Sequence, residues 1–478
     1  MTGYLRLRDN FRVLKYDTFR CLFDNKTAEE FFLDAEQAEL VFLLDGTRTL
    51  NDILSEFDEE SRAIVTTFVG KLETEGCLES LASPQKRIVD LPSVNPYLEG
   101  VLFDITSLCN LRCHHCYVSD FYKEKRGKDL SLDEIYAVLD DLAAMNVRDV
   151  AVTGGEPILR DDIRKIIEGI VARNMRLGSF FTNGLEIEKD FVSFISSLPQ
   201  FTRIYISLDG LTPYSHSMIR GGDINSNVTH AAAIRAIEMF ASAGVPVTIN
   251  TSLHQKNLSE LPAMYQLLKR MNVSQWRIAV PKPIGRYKET QPALKPQWDN
   301  VLAAYAALLD IHLQDVTVSN EGFTAPIEVE FELLFRTEIV YKKIKLYQPG
   351  DIACLYHKNR CSIKANGDVT PCGYFDYIVA GNIREIPIHQ IWTSNKMQSV
   401  KTMKIAEVSE CRDCPSLAIC GTGCRAVAHR LTGDIRAKDE YACAQVIKFH
   451  KEVVAPLFEK YGFSVRGSAE VEDIFTDS

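Results

Sequence analysis

The sequence predicts an α/β protein built on a partial (β/α)6 barrel, with a small winged-helix-like α+β unit before it and a cysteine-rich unit after it. Three observations lead there. From residue 100 onward, strand-like and helix-like segments alternate about six times, the pattern of a parallel sheet covered by helices. Residues 1 to about 85 instead show three short strand-like segments followed by three helical ones. Finally, eleven of the thirteen cysteines fall into two groups, three from Cys109 to Cys116 and eight from Cys354 to Cys443.

In the N-terminal unit, FRVLKY, FRCLFD and EEFFL alternate as strands do, and AEQAELVFLLDG places Ala38, Leu40, Val41 and Leu44 on one apolar helical face. Asp45-Gly46 is expected to stop that helix, because glycine takes the left-handed conformation that ends helices. Further helices are expected near 50–57 and 60–76. Three prolines in SPQKRIVDLPSVNPYLEG mark residues 86–99 as a linker.

Strands of the central unit, residues 100–315, are assigned to VLFDIT, RDVAVTG, MRLGSFFT, RIYISLDG, VPVTINT and QWRIAV. Six strand–helix units are too few for a closed eight-stranded barrel, so at this level an open partial barrel and a doubly wound sheet both fit. Either architecture gathers functional residues at the C-terminal ends of the strands. Residues 316–350 read as a helical bridge and 351–445 as a loop-rich segment with too little apolar surface to fold unaided. Residues 446–478 hold a closing helix, centred on AQVIKFHKEVVAPLFEKYGF, and a polar tail.

Composition narrows the function classes. The chain of 478 residues has no apolar run near the roughly 18 residues of a membrane span. MTGYLRLRDN lacks the apolar region of a secretory signal, so a cytoplasmic, membrane-free protein is expected. A formal net charge of −10 without basic blocks argues against nucleic-acid binding. In such a compartment clustered thiols hold metal more often than they form disulfides. Cys21 and Cys77, which stand alone, read as buried apolar side chains.

TSLCNLRCHHCY puts Cys109, Cys113 and Cys116 at the spacing C-x3-C-x2-C, on a loop after the first strand. Three thiolates on a four-iron cubane leave one iron free for a small-molecule chelate. The same residues with His114 or His115 could instead hold zinc. The next strand ends in Gly154, Gly155, Glu156 and Pro157, about forty residues on. Together, the triad and this turn resemble the radical S-adenosylmethionine (SAM) superfamily over about residues 100 to 310. The resemblance implies a 4Fe-4S cluster whose free iron takes the amino and carboxylate groups of SAM, with the Gly154–Pro157 turn at the methionine ammonium, since glycine lets backbone approach closely. It further implies SAM contacts at Asn183, Ser207, Asp209 and Arg220, and an adenine-facing His115. Read without it, Asp209-Gly210 is a turn and Arg220 a surface charge.

Downstream, Cys354, Gly367 and Cys372 give C-x12-G-x4-C, and Cys411, Cys414, Cys420 and Cys424 give C-x2-C-x5-C-x3-C, followed by Cys443. Zinc knuckles could use the same thiolates. The spacing resembles the SPASM domain, an auxiliary-cluster module of radical SAM enzymes. That likeness implies two more 4Fe-4S clusters, one with Cys354, Cys361, Cys372 and Cys424, the other with Cys411, Cys414, Cys420 and Cys443.

Three strands and three helices in the first 85 residues resemble the RiPP recognition element, which binds the leader of a ribosomally made precursor peptide by strand addition near Glu29 to Leu33. Winged helices also bind DNA, but the acidic stretch 27–60 disfavours phosphate. The joint resemblance implies an enzyme that matures a precursor peptide, with flavodoxin or ferredoxin supplying electrons. Thioether formation between a cysteine sulfur and an acceptor carbon is the expected reaction. Carbon–carbon crosslinking and formylglycine formation in a sulfatase are the alternatives. No catalytic base is identified.

Overall fold

The computed structural model describes residues 3–15, 20–24, 30–87, 97–118, 128–198, 201–221, 226–318, 327–332, 335–336, 347–354, 358–375 and 377–462. Most of the expected linker, much of the expected bridge, Glu29 and the tail from 463 lie outside these residues.

The N-terminal unit contains β1 (Tyr4–Leu7), β2 (Phe11–Lys15), β3 (Arg20–Asp24), β4 (Glu30–Leu33), β5 (Asp45–Thr49) and β6 (Leu78–Leu81). The three expected strands form an antiparallel sheet in the order β2-β3-β4. A second sheet, β5-β1-β6, was not expected, because its strands pair residues some 40 to 75 positions apart and local alternation does not encode that. Helices Ala35–Leu43, Leu50–Leu54 and Glu59–Thr74 cover them, each started by an acceptor side chain, Asp34, Thr49 or Asp58. Asp45-Gly46 is not the stop of the first helix. Leu44 caps that helix, and Gly46 lies inside β5 with φ +85°, where a Cβ would stand 2.2 Å from the Gln85 carbonyl oxygen.

The central sheet resolves the choice between the two α/β architectures in favour of the partial barrel wall. β7 (Gly100–Asp104), β8 (Asp149–Thr153), β9 (Arg176–Thr182), β10 (Ile204–Ser207), β11 (Val247–Ser252) and β12 (Gln275–Ala279) pair in parallel, each with the next in sequence. They coincide with the six expected strands. Two further parallel strands extend the wall. β13 (Glu328–Phe331), from the stretch read as a helical bridge, joins β12, and β15 (Arg360–Ile363), from the cysteine-rich segment, joins β7. Neither lies in the strand–helix repeat that marks the other six, and β15 pairs with a strand 260 positions earlier in the chain, Cys361 against Val101. The short β14 (Phe335–Arg336), β16 (Asp368–Thr370) and β17 (Gly381–Asn382) add antiparallel edges, giving eleven strands among the described residues.

Side chains alternate across this sheet. Val101, Phe180, Ile206, Ile249, Trp276 and Phe331 are buried beneath the helices in one large core. The other face is polar and aromatic: Arg203 donates to Gln275 at 2.6 Å, Arg277 pairs with Glu330 at 3.2 Å, and Phe181 stacks on Tyr205 at 4.4 Å. Charged side chains on the concave face and apolar ones beneath the helices are what a barrel with a polar lumen requires.

At the N-terminal ends of β8 and β9 the first unit docks. Phe23 of β3, 1% exposed, lies within 6 Å of the guanidiniums of Arg12, Arg148 and Arg176, at 5.5, 5.9 and 5.8 Å. This is the face opposite the cysteine triad. The closing helix runs Glu440–Phe449, a wider turn at His450–Val454, and Ala455–Tyr461, so Pro456 is accommodated by the turn before it.

Candidate active site at the C-terminal rim of the barrel

The triad loop leaves β7 and is held from several sides. Gly155 N–H donates to the Thr106 carbonyl at 2.8 Å, and Glu156 N–H to that of Leu108 at 2.7 Å. A Cβ on Gly155 would lie 2.0 Å from the Leu108 carbonyl oxygen, and one on Gly154, at φ +145°, 2.4 Å from that of Thr106. The two glycines therefore let the turn after β8 close against the loop that carries the cysteines. On the far side Arg286 donates to the Cys113 carbonyl at 3.1 Å, Thr290 to that of His114 at 2.9 Å, and His114 N–H to that of Ile219 at 2.8 Å. A loop with this many fixed carbonyls holds its thiols in place before any cofactor arrives.

The Glu156 carboxylate is buried and accepts from Thr182 Oγ1 at 2.9 Å and Asn183 N–H at 2.7 Å. It ties the end of β8 to the end of β9, and burial pushes it up to about 7. Asn183 reaches the triad loop through Asn110, at 2.8 Å. Arg220, at the end of helix Pro213–Arg220, donates to Asp209 at 2.5 Å and approaches Cys113 Sγ at 3.7 Å. Burial alone would raise Asp209, yet the facing Arg220 holds it below the usual carboxylate range. Asp209 also accepts from Ser252 N–H at 2.7 Å. Arg220 is thus a buried charge in a network and not a surface residue. Ser207 is half-buried at the end of β10, and His115 is held at the loop's inner side, its ring 3.4 Å from the Ile219 carbonyl oxygen, with burial pulling it down to about 4.

The C-terminal thiols separate into two neighbourhoods. Cys372 lies within electrostatic reach of Cys354 and Cys424, Cys420 within reach of Cys443 and Cys411, and Cys411 within reach of Cys414 and Cys443. Cys361 lies on β15 in register with Val101, buried in the large core, with the Lys401 ammonium in electrostatic reach. Among the described residues, no three His, Cys, Asp or Glu side chains converge on the position of a single metal ion. The donor chemistry at all three places is thiol, and the three triad thiols also lie within charge range of one another, as a polynuclear iron–sulfur group requires.

Several residues here escaped the sequence reading. The Tyr117 ring, next to Cys116, meets the Tyr374 ring, two residues after Cys372, at 4.8 Å, so the triad loop touches the first auxiliary set. Tyr374 donates to Glu332 at 3.4 Å, and Lys282, just past β12, pairs with Glu332 at 3.4 Å and sits 4.3 Å above the Tyr374 ring. Lys282 follows the end of β12, so the strand-end rule applied past residue 280 would have found it, whereas Glu332 follows β13, a strand the sequence does not mark. Lys401, at the end of the helix Asn395–Lys401 and ten residues before Cys411, carried no such signal.

Residues 103–268 match the radical SAM superfamily, and residues 354–415 match SPASM, an iron-sulfur cluster-binding domain. The AdoMet-dependent heme synthase of Methanosarcina barkeri is 24% identical over 351 residues, 71% of this chain and 95% of that protein. The PqqA peptide cyclase of Granulibacter bethesdensis is 24% identical over 355 residues, 72% of this chain and 87% of its own. The crystal structure of Streptococcus suis SuiB bound to precursor peptide SuiA superposes with a TM-score of 0.63 at 15% identity, covering 92% of this chain and 99% of that one.

The chain is an enzyme with the fold of a radical SAM core. More particularly, the chain has a radical SAM core followed by a SPASM domain, modules that bind SAM and iron–sulfur clusters. No helix among the described residues is long and apolar enough to cross a membrane.

Proposed function

We propose that this enzyme is a peptide maturase that installs thioether crosslinks between a cysteine sulfur and an acceptor carbon of a ribosomally made precursor. The radical SAM core is common to several chemistries, so the peptide reading is carried by the N-terminal unit. Its β4 pairs on one side only among the described residues, and a groove of about 410 Å³ between the helices Ala35–Leu43 and Glu59–Thr74 is lined by Gln37, Ile64, Thr67, Phe68 and Lys71. Phe32 on β4 is 63% exposed and Ile64 is 65% exposed. An extended leader adding to β4 would gain backbone hydrogen bonds from the strand edge and an apolar anchor from the groove. The PqqA peptide cyclase and the SuiA-bound SuiB, by their names, act on or bind peptides, which agrees with this reading.

Bound SAM and its cluster would supply a radical that removes a hydrogen atom from the substrate. The chain's own part is positional. Cys109, Cys113 and Cys116 would hold the SAM-binding cluster. Gly154, Gly155, Glu156 and Pro157 shape the wall at the SAM amino acid, and Asn183, Ser207, Asp209 and Arg220 line the side where its ribose and carboxylate would lie. Cys354, Cys361, Cys372 and Cys424 would hold one auxiliary cluster, and Cys411, Cys414, Cys420 and Cys443 the other. A flavodoxin or ferredoxin would donate the electron. The auxiliary clusters would lie with the SPASM thiols, and Tyr374, two residues after Cys372, touches Tyr117 of the triad loop at 4.8 Å.

The test uses anaerobically reconstituted enzyme, SAM, dithionite and the short peptides encoded next to its gene. Thioether formation removes two hydrogens, so the product should be about 2 Da lighter per link and resist thiol alkylation, as balanced radical coupling requires. The same mass loss with every thiol still alkylatable would point to a carbon–carbon link, and loss of sulfur to formylglycine. Phe32→Asp and Ile64→Asp should weaken peptide binding while reductive SAM cleavage continues unchanged. Unimpaired peptide binding by both variants would overturn the leader assignment.

A further inference from the structure

The helix Asn395–Lys401 ends in a lysine that is 5% exposed. Its ammonium donates to the carbonyl of Pro371 at 2.5 Å and to that of Arg360. Those carbonyls belong to the peptide groups that lead directly into Cys372 and Cys361. The thiols of Cys354, Cys372 and Cys361 all lie within electrostatic reach of the ammonium. Lys401 therefore stands inside one cysteine set and touches the backbone of two of its members.

A buried ammonium is expensive unless its charge is met. The carbonyl dipoles of Pro371 and Arg360 accept from the ammonium but carry no net charge. Thiolates on a reduced iron–sulfur cluster would stand beside it, and each electron taken up would add one negative charge next to a fixed positive one. In a poorly screened interior that attraction favours the reduced cluster. Arg425, also buried, faces Cys411 as well as Cys354 and Cys424, so it acts on both sets, whereas the cysteines in reach of Lys401 all belong to the first.

We propose that Lys401 is a positioning residue for the first auxiliary cluster, fixing the backbone at Cys361 and Cys372 and raising that cluster's reduction potential so that it accepts an electron more readily. This rests on the reading that Cys354, Cys361, Cys372 and Cys424 hold a cluster, and that reading has its own check. Replacing Cys354 and Cys372 together with Ala should remove about a third of roughly twelve irons. If the double variant keeps all its iron, the ligand assignment fails, whatever Lys401 does.

The experiment is an EPR-monitored redox titration of anaerobically reconstituted full-length wild type, Lys401→Met, Lys401→Gln and Lys401→Arg, each with its iron content. With full iron, the Met and Gln variants should show one midpoint moved to more negative potential and two unmoved, and the Arg variant should keep the wild-type values. If the neutral variants instead lose about four irons while the Arg variant keeps them, the charge is needed to hold the cluster, which also supports the proposal. Full iron with all three midpoints unmoved in the neutral variants would overturn it. So would an Arg variant that behaves like Lys401→Met.

Discussion

The Arg360 guanidinium meets the Asp149 carboxylate at 3.0 Å and Glu99 at 2.7 Å, which joins the residue before Cys361 to the N-terminal end of β8. Asp149 also receives Arg148 at 3.1 Å and Arg176, and both of those guanidiniums flank Phe23 of the first unit. One buried carboxylate thus lies where the N-terminal unit, the barrel and the cysteine-rich segment come together.

Removing it should be costly. Burial alone would raise Asp149, but Arg176, Arg148 and Arg360 hold it far below the usual carboxylate range. Its contribution is therefore present above the unfolded carboxylate pKa near 4 and is lost as pH falls below that. Asp149→Ala leaves three guanidiniums around a single remaining carboxylate, Glu99, which pairs with Arg148 and Arg360, and should destabilise the protein by about 3–5 kcal/mol. A urea-unfolding midpoint at pH 7 equal to that of the wild type would contradict this.

Replacing Cys109, Cys113 and Cys116 with Ala should take reconstituted protein from about twelve irons to about eight and abolish reductive SAM cleavage. Iron and sulfide analysis with a 5′-deoxyadenosine assay measures both. Stoichiometric zinc and no iron in freshly isolated anaerobic protein would sink the cluster assignment altogether.

Gly155→Ala tests the loop contact without touching a ligand. Its Cβ would lie 2.0 Å from the Leu108 carbonyl oxygen, a backbone atom, so the triad loop must move. The variant should keep about eight irons in the auxiliary sets and lose the other four, together with SAM cleavage. Full iron and normal cleavage would show that the loop tolerates displacement.

Glu156 gives a pH signature of opposite sign to Asp149. Its carboxyl is raised from the ordinary 4.5 to about 7, so the folded state keeps a proton that the unfolded chain releases. Stability should fall as pH rises from about 4.5 to about 7, by on the order of 3 kcal/mol. Glu156→Gln, which mimics the protonated form between Thr182 and Asn183, should flatten that slope. Thermal midpoints of both proteins across this range decide it, and parallel curves would refute the buried-carboxyl account.

The sequence by itself determined the six central strands, the three-strand sheet at the N-terminus and the grouping of the cysteines, because period-two burial and ligand spacing are local properties of the chain. It also marked the turn at Gly154–Pro157, since only glycine allows such close backbone approach. What only the tertiary structure decided is long-range pairing: β15 from the cysteine segment lying against β7, Arg360 reaching Asp149 across 211 positions, and Tyr117 meeting Tyr374. The sequence carries no signal for Lys401, because a lysine at a helix end reads as solvated until the fold closes over it. Burial, and therefore the meaning of a charge, is a property of the packed chain and not of its local pattern.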